Sequence, residues 1–222
     1  MRDFDALFDL AAARKGGVTA LRRLLTKPKP ASSLINIPDD RWLSEMTKCV
    51  FQAGFIWRVV ENKWDDFEHV FYGFDVHRVA HLSDEKIEGL LANRRIIRHY
   101  AKLLSTRNNA TFLLEIIDEF GSAGRYFSGF PSDQYINLLL DLKKRAYRMG
   151  GTSAQYFLRR MGKDSFLLTR DVVAALVREE VIDKTPTSKR DLRTTQSAFN
   201  SWCDQGQCSL TEVSRILALG IG

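Results

Sequence analysis

The chain has 222 residues, 45% hydrophobic and 27% charged, which is ordinary globular material and suits one large domain or two small lobes sharing a core. No stretch approaches the roughly eighteen uncharged apolar residues that a membrane span needs. Three cysteines (Cys49, Cys203, Cys208) are an odd number and too few for a disulfide framework, so a cytoplasmic, reducing setting is expected.

In chain order almost every segment has a helical period, and no strand alternation stands out. A first helix is expected over Phe4–Ala13, where the opening acids Asp3 and Asp5 replace the basic leader of a secreted chain. Gly16-Gly17 breaks it, a short helix follows over Thr19–Leu25, and residues 27–33 read as a linker. Pro38-Asp39-Asp40 starts a helix whose acids suit the dipole, with Leu43, Met46, Val50 and Phe51 as its inner stripe and an end near Phe55. Short helices are expected over Trp64–Phe71 and Asp75–His81, and from the Ser83-Asp84-Glu85 cap to Ala92. Residues 95–120 read as one or two helices divided near Asn108-Asn109, and Gly121–Pro131 as a loop. A helix then runs from the Ser132-Asp133 cap to Arg148. Met149-Gly150-Gly151-Thr152 turns the chain into a helix over Ser153–Met161, stopped at Gly162. Lys184–Thr195 reads as a basic loop, and Ser209-x-x-Glu212 as the capping box of a last helix ending at Leu219.

The net charge is +6, with a pI near 9.3, and the charge is unevenly placed. Residues 10–38 and 93–109 carry five or more basic side chains each and no acid, and residues 143–170 carry eight against the single Asp164. Such segregation points to a polyanionic partner; an unevenly charged solvated surface is the plainer alternative. The glycine turn at Gly150-Gly151 could admit a phosphate to the amides of the following helix, or it could be a simple αα-hairpin. Gly54, flanked by Phe51, Phe55 and Trp57, either opens an aromatic wall toward a flat ligand or lies in a packed helix end.

These residues carry a resemblance. Gln52-Ala53-Gly54-Phe55-Ile56-Trp57, then Phe67, Phe71 and Phe74-Asp75, then Ile96-Ile97-Arg98-His99 with Lys102, resemble the DNA-3-methyladenine glycosylase I family. Leu142-Lys143-Lys144-Arg145 leading to Gly151-Thr152 is similar to the helix–hairpin–helix of that family. The resemblance spans residues 40–177. It implies an all-α, two-lobed helical bundle of the helix–hairpin–helix DNA glycosylase type. Outside the matched stretch, residues 1–38 are expected as a basic N-terminal extension with short helices, and 178–222 as C-terminal helices packing back on the core. The implied partner is double-stranded DNA with an alkylated base, bound by a monomer and rotated out of the stack. Trp57 would stack on that base, with Cys49 and Gln52 beside it. Gly54 and Phe55 would fill the gap in the duplex, and Arg98, His99, Lys102, Lys144, Arg145, Gly150, Gly151, Thr152 and Ser153 would grip the strand.

The departures from the family are as informative. Its pocket glutamate, three residues before the glutamine, is Cys49 here, and Glu45 lies one turn earlier on the same helix. The wider superfamily's aspartate after the hairpin falls at Thr169, with Asp171 two residues on. Glu45 and Asp171 are therefore the candidate catalytic carboxylates. The lysine of bifunctional members falls at Thr152, which implies a monofunctional reaction in which water attacks the sugar. The family's zinc ligands fall at Asp171 and Ala175, so neither metal nor cofactor is expected. An enzyme of altered base choice, a DNA-binding protein that keeps the fold without chemistry, and a helical domain for another anion all remain open.

Overall fold

The computed structural model describes residues 1–221. Among them the backbone forms fifteen α-helices and three short 3-10 turns, with no strand. The helices are α1 (Phe4–Lys15), α2 (Val18–Leu24), α3 (Ala31–Ile35), α4 (Asp39–Gln52), α5 (Trp57–Glu61), α6 (Trp64–Val70), α7 (Val76–Ala80) and α8 (Asp84–Gly89). They continue with α9 (Tyr100–Phe120), α10 (Ala123–Gly129), α11 (Tyr135–Arg145), α12 (Thr152–Met161), α13 (Arg170–Arg178), α14 (Lys189–Gly206) and α15 (Leu210–Leu219). No helix among the described residues is long and apolar enough to cross a membrane.

The chain divides into two units, each discontinuous in sequence. A central unit comprises Pro30–Gly129 and Leu139–Met161, and a terminal unit comprises Met1–Lys29, Phe130–Leu138 and the chain from Gly162 onward. Residues 1–29 and the chain from Gly162 onward thus share one unit, while residues 30–38 belong to the other.

The central unit is built on aromatic packing. Trp42 of α4 stacks on Phe127 of α10 at 4.5 Å between ring centroids, and Phe157 of α12 meets both edge-on. A second cluster stacks Trp64, Phe67, Phe71 and Phe74, with Phe51 edge-on to Phe67 at 4.6 Å. Such pairs contribute about 0.5–1.5 kcal/mol each beyond their burial. Arg41 fastens the second cluster: its guanidinium donates to both oxygens of Glu68 (2.9 and 3.0 Å) and to the Gly73 carbonyl at 2.7 Å.

Desolvation pushes the Glu68 carboxyl upward, but hydrogen bonds from Arg41, Ser44 and Trp64, with the Arg41 charge, outweigh it and hold it below the ordinary carboxylate value. A lowered native value stabilises the fold fully above the unfolded-state value, and that stabilisation disappears as pH falls through the native one. The melting temperature is therefore expected to fall between about pH 6 and about pH 3, with a shallower fall in Glu68→Gln. Identical pH profiles for the two proteins would remove Glu68 from this role.

Several boundaries differ from the sequence reading, each for a local reason. Helix α4 stops at Gln52 rather than Phe55, because Gly54 takes a left-handed conformation (φ +83°) that breaks the run. Residues 95–99 are not helical, and α9 then runs undivided for 21 residues through Asn108-Asn109. The segment Gly121–Pro131 contains α10; a Cβ on Gly124 would lie 2.6 Å from the Leu34 carbonyl oxygen, so this glycine permits a close approach to α3. The helix before the hairpin starts at Tyr135 and ends at Arg145.

In the terminal unit Phe166 stacks on Phe199 at 4.2 Å, with Tyr135 and Trp202 edge-on around them. The Trp202 indole N–H donates to the Arg2 carbonyl at 3.0 Å, and Arg2 and Arg178 enclose the buried Glu179 carboxylate. The Ser209–Glu212 capping box forms as expected, supplemented by Asp164, which accepts from the Leu210 and Thr211 amides. The supposed basic loop 184–195 instead opens into α14 at Lys189, capped by the Ser188 side chain.

Candidate functional site

The site lies within the central unit, where α4 ends and α12 begins. Cys49 and Gln52 are on the last turn of α4; Ala53 and Gly54 form the corner; Trp57 opens α5. Thr152, Ser153, Tyr156 and Arg160 project from one side of α12, at the i, i+1, i+4 and i+8 positions that a helix brings to one face. Together these nine residues line a cavity of about 230 Å³. That is below the roughly 300–1,000 Å³ of pockets for drug-sized ligands and suits one heteroaromatic ring system.

Residues 53–59 are all exposed, whereas Phe51 and Val60 on either side are buried. Trp57 is 43% exposed and Phe55 37%, and Ile56, at 72%, is an apolar tip that sequence reasoning passed over. Trp57 meets Tyr156 edge-on at 5.2 Å, and the Arg160 guanidinium carbon lies 4.7 Å from the Trp57 ring centroid. Of the three aromatics considered at this helix end, Phe51 is core and the other two face solvent.

Lys102 was grouped with the strand-gripping residues, and the structure places it otherwise. It is 5% exposed, and its ammonium donates to the Phe51 and Ala53 carbonyls at 3.3 and 2.5 Å while lying 4.4 Å from the Phe55 ring. Helix C-terminal carbonyls without intrahelical partners attract a cation, so Lys102 caps α4 and fixes the exposed corner. Desolvation, then the nearby charge of Arg148, lowers its pKa.

The polar side of the cavity is a connected network. Arg160 Nη1 donates to Glu45 Oε1 at 3.1 Å and to Gln52 Oε1 at 2.5 Å, and lies 3.8 Å from Cys49 Sγ. The Cys49 thiol donates to the same Glu45 oxygen at 3.5 Å, and Gln52 Nε2 donates to Glu61 at 3.3 Å. Burial, and secondarily the Glu45 charge, push the Cys49 thiol far up, so it stays protonated and is no nucleophile. Glu45 itself is largely buried, its side chain 19% exposed. Asp171 is exposed in the first turn of α13 and belongs to the terminal unit. Thr169, at the position of the superfamily's aspartate, caps α13 by accepting from the Val172 amide at 3.3 Å.

The hairpin is α11, a turn at residues 146–151, and α12. Buried Asn109 clasps it from α9: its amide nitrogen donates to the Tyr147 carbonyl at 3.0 Å and its oxygen accepts from the Tyr147 amide at 2.7 Å. Gly151 takes φ +59°, and Gly150, Gly151 and Thr152 are exposed, with Ser153 half-buried. Lys143, Lys144 and Arg148 are exposed beside them, as is Arg98, with His99 half-buried. Arg145 departs from its expected role: it is ringed by Glu115, Glu119 and Asp141 within 3.5–3.9 Å and sits over the Phe112 ring. Neutralised by three acids, it fastens α11 to α9. Arg160 and Tyr156, both central to the cavity, escaped the sequence reading, although their spacing from Thr152 on one helix face was available.

This arrangement of helices is found in known DNA glycosylases. The solved structure of 3-methyladenine DNA glycosylase I from Staphylococcus aureus is similar over 70% of this chain and 91% of its own, with TM-score 0.52 and 21% identity. The Methanocaldococcus jannaschii 8-oxoguanine glycosylase/lyase, solved in complex with a 15mer DNA containing 8-oxoguanine, is similar over 96% of both chains, with TM-score 0.54 and 17% identity. The fold is thus the all-α helix–hairpin–helix glycosylase fold.

Residues 36–166 match the methyladenine glycosylase family model, and the chain belongs to that family. Over 65 residues it is 34% identical to DNA-3-methyladenine glycosylase 1 of Escherichia coli (strain K12), a match covering 29% of this chain and 35% of that protein.

Proposed function

We propose that the protein is a monofunctional DNA glycosylase that rotates an alkylated base out of duplex DNA and hydrolyses its N-glycosidic bond. One observation carries the reading: a half-exposed indole, Trp57, borders a cavity of base size whose rim is the first turn of the hairpin's second helix. In this reading Thr152 and Ser153 serve both functions, lining the cavity with their side chains while the amides of the same turn receive a phosphate. Ile56 and Phe55 occupy the space that the base leaves, as apolar wedges do in kinked duplexes. Lys144, Arg148 and Arg98 neutralise backbone phosphates. Among the described residues no lysine lines the cavity, which supports direct attack by water over a covalent amine intermediate. Glu45, held at 3.1 Å by Arg160 of the cavity wall, is the candidate general base, and Asp171 is the second candidate.

The test is incubation with methylated duplex DNA and chromatographic scoring of freed bases. Release of a methylated base supports the reading; tight duplex binding without release would leave a lesion-binding protein instead. A second test addresses the grip. Lys144→Ala is expected to weaken DNA affinity uniformly across sequences and to reduce the salt slope by about 1. Arg145→Ala, in contrast, is expected to lower the melting temperature without changing that slope. Unchanged affinity in Lys144→Ala would refute the placement of the strand along the hairpin.

A further inference from the structure

We propose that the terminal unit carries a phosphate-gripping surface of its own, formed by Arg22, Arg23, Lys27, Lys29 and Arg215, which holds the backbone of duplex DNA without reading its sequence. The glycosylase reading supplies the partner, while the surface itself rests on charge and packing. It lies outside residues 36–166, the stretch matched to the family. Residues 10–38 hold no acid, and Arg22, Arg23, Lys27 and Lys29 are all exposed. Among the described residues no ion pair or side-chain hydrogen bond engages any of these four. Arg215, also exposed, donates from Nε to the Leu24 carbonyl at 3.3 Å, which occupies one donor and leaves its charge uncompensated. Glu212, one turn before Arg215, is turned instead to the Ser209 amide and hydroxyl, at 3.0 and 2.7 Å.

Helix dipoles explain only part of this charge. Arg22 and Arg23 lie in the last turn of α2, where cations are favoured, but Lys27 and Lys29 lie beyond any helix and Arg215 sits midway along α15. The segment is also held rather than loose. Arg215 ties the end of α2 to α15, and the Lys29 amide donates to the Gly162 carbonyl at 2.8 Å. A Cβ on Gly162 would lie 2.6 Å from Lys29 Cγ and Cδ, so this glycine, at φ +98°, lets the lysine stem run across it. Pro28 and Pro30 restrict the backbone on either side of Lys29. Cations held in place in this way lose less freedom on binding. Crowded without a counter-charge, they also repel one another until a polyanion neutralises them. From Arg23 to Lys29 the chain can span at most about 20 Å, a length over which one strand of a duplex presents about six phosphates. An acid-free row of that reach fits a duplex backbone.

The experiment uses the full chain and an unmodified duplex of about three helical turns, with affinity measured by fluorescence anisotropy over a range of salt concentrations. The triple variant Arg22→Gln, Arg23→Gln, Lys27→Gln is expected to reduce the salt slope by about 2–3 and to weaken binding at least tenfold. A control removes the same net charge from the same unit: Lys184→Gln, Lys189→Gln and Arg190→Gln, at exposed positions flanked by Asp183 and Asp191. It is expected to change the slope by less than about 1. Melting temperatures confirm that both variants are folded. An unchanged slope in the first variant, an equal fall in the two, or no duplex binding by the wild type would each overturn the surface. A reduced slope in Lys144→Ala with none in the first variant overturns the surface and leaves the glycosylase reading standing. Duplex binding that depends on the first variant's cations, without release of any base from methylated DNA, keeps the surface and defeats the glycosylase reading.

Discussion

Glu45→Gln is expected to slow base release by about 10²–10⁴-fold, the range that a positioned general base contributes, while duplex affinity stays unchanged. Glutamine keeps the length of the side chain and a carbonyl oxygen. Arg160 Nη1 and the Cys49 thiol, which now donate to Glu45 Oε1 at 3.1 and 3.5 Å, therefore retain an acceptor. What glutamine cannot do is take a proton from water. A carboxylate that only holds Arg160 in place would be replaced by glutamine with a small loss, so the size of the effect separates the two roles. Asp171→Asn is the companion measurement. Its exposed position on α13 predicts a minor change, and a loss exceeding that of Glu45→Gln would transfer the catalytic assignment to Asp171.

Cys49→Glu tests the same corner from the other side. A second carboxylate on the next turn of α4 would face Glu45 at i, i+4 spacing, where like charges repel, and it would compete with Glu45 for Arg160. The variant is expected to have a lower melting temperature than the natural protein, because two carboxylates then share one guanidinium.

The helical class of the fold was legible because the apolar stripe of α4 and the capping signals at Ser83 and Ser209 are local features, readable without knowledge of packing. What failed was decided by tertiary contact. Gly121–Pro131 looked like a loop because glycine disfavours helix interiors, yet Gly124 lies in α10 where only a missing side chain lets α3 approach. Asn108-Asn109 looked like a break in a helix, whereas Asn109 uses its amide to close the hairpin turn from a continuous α9. The site shows the same division. Trp57, Gln52 and the glycine turn stood out because glycine and aromatic residues punctuate the chain there. Arg160 did not, since one arginine in a basic segment has no signal until the fold sets it against an indole. Lys102 and Arg145 misled for the converse reason: in sequence a cation that caps a helix, or lies among three acids, is indistinguishable from one that binds phosphate.

Trp57→Ala is expected to reduce base release about ten- to hundredfold, since stacking of one base on an aromatic side chain contributes about 1–3 kcal/mol. The loss should fall on the step that captures the extruded base, so duplexes carrying a mismatched lesion, already partly unstacked, should suffer less than well-paired ones. Stability should hardly change. The indole is 43% exposed, and the core beneath it, Phe51 against Phe67, does not depend on it; exposed substitutions of this kind typically shift stability by no more than about 0.5 kcal/mol. Trp57→Phe, which keeps a flat ring beside Tyr156, should recover most of the rate. Full activity in Trp57→Ala would mean that the base rests elsewhere, and the exposed corner would then be explained only as a wedge between base pairs, with Ile56 rather than Trp57 as its working residue.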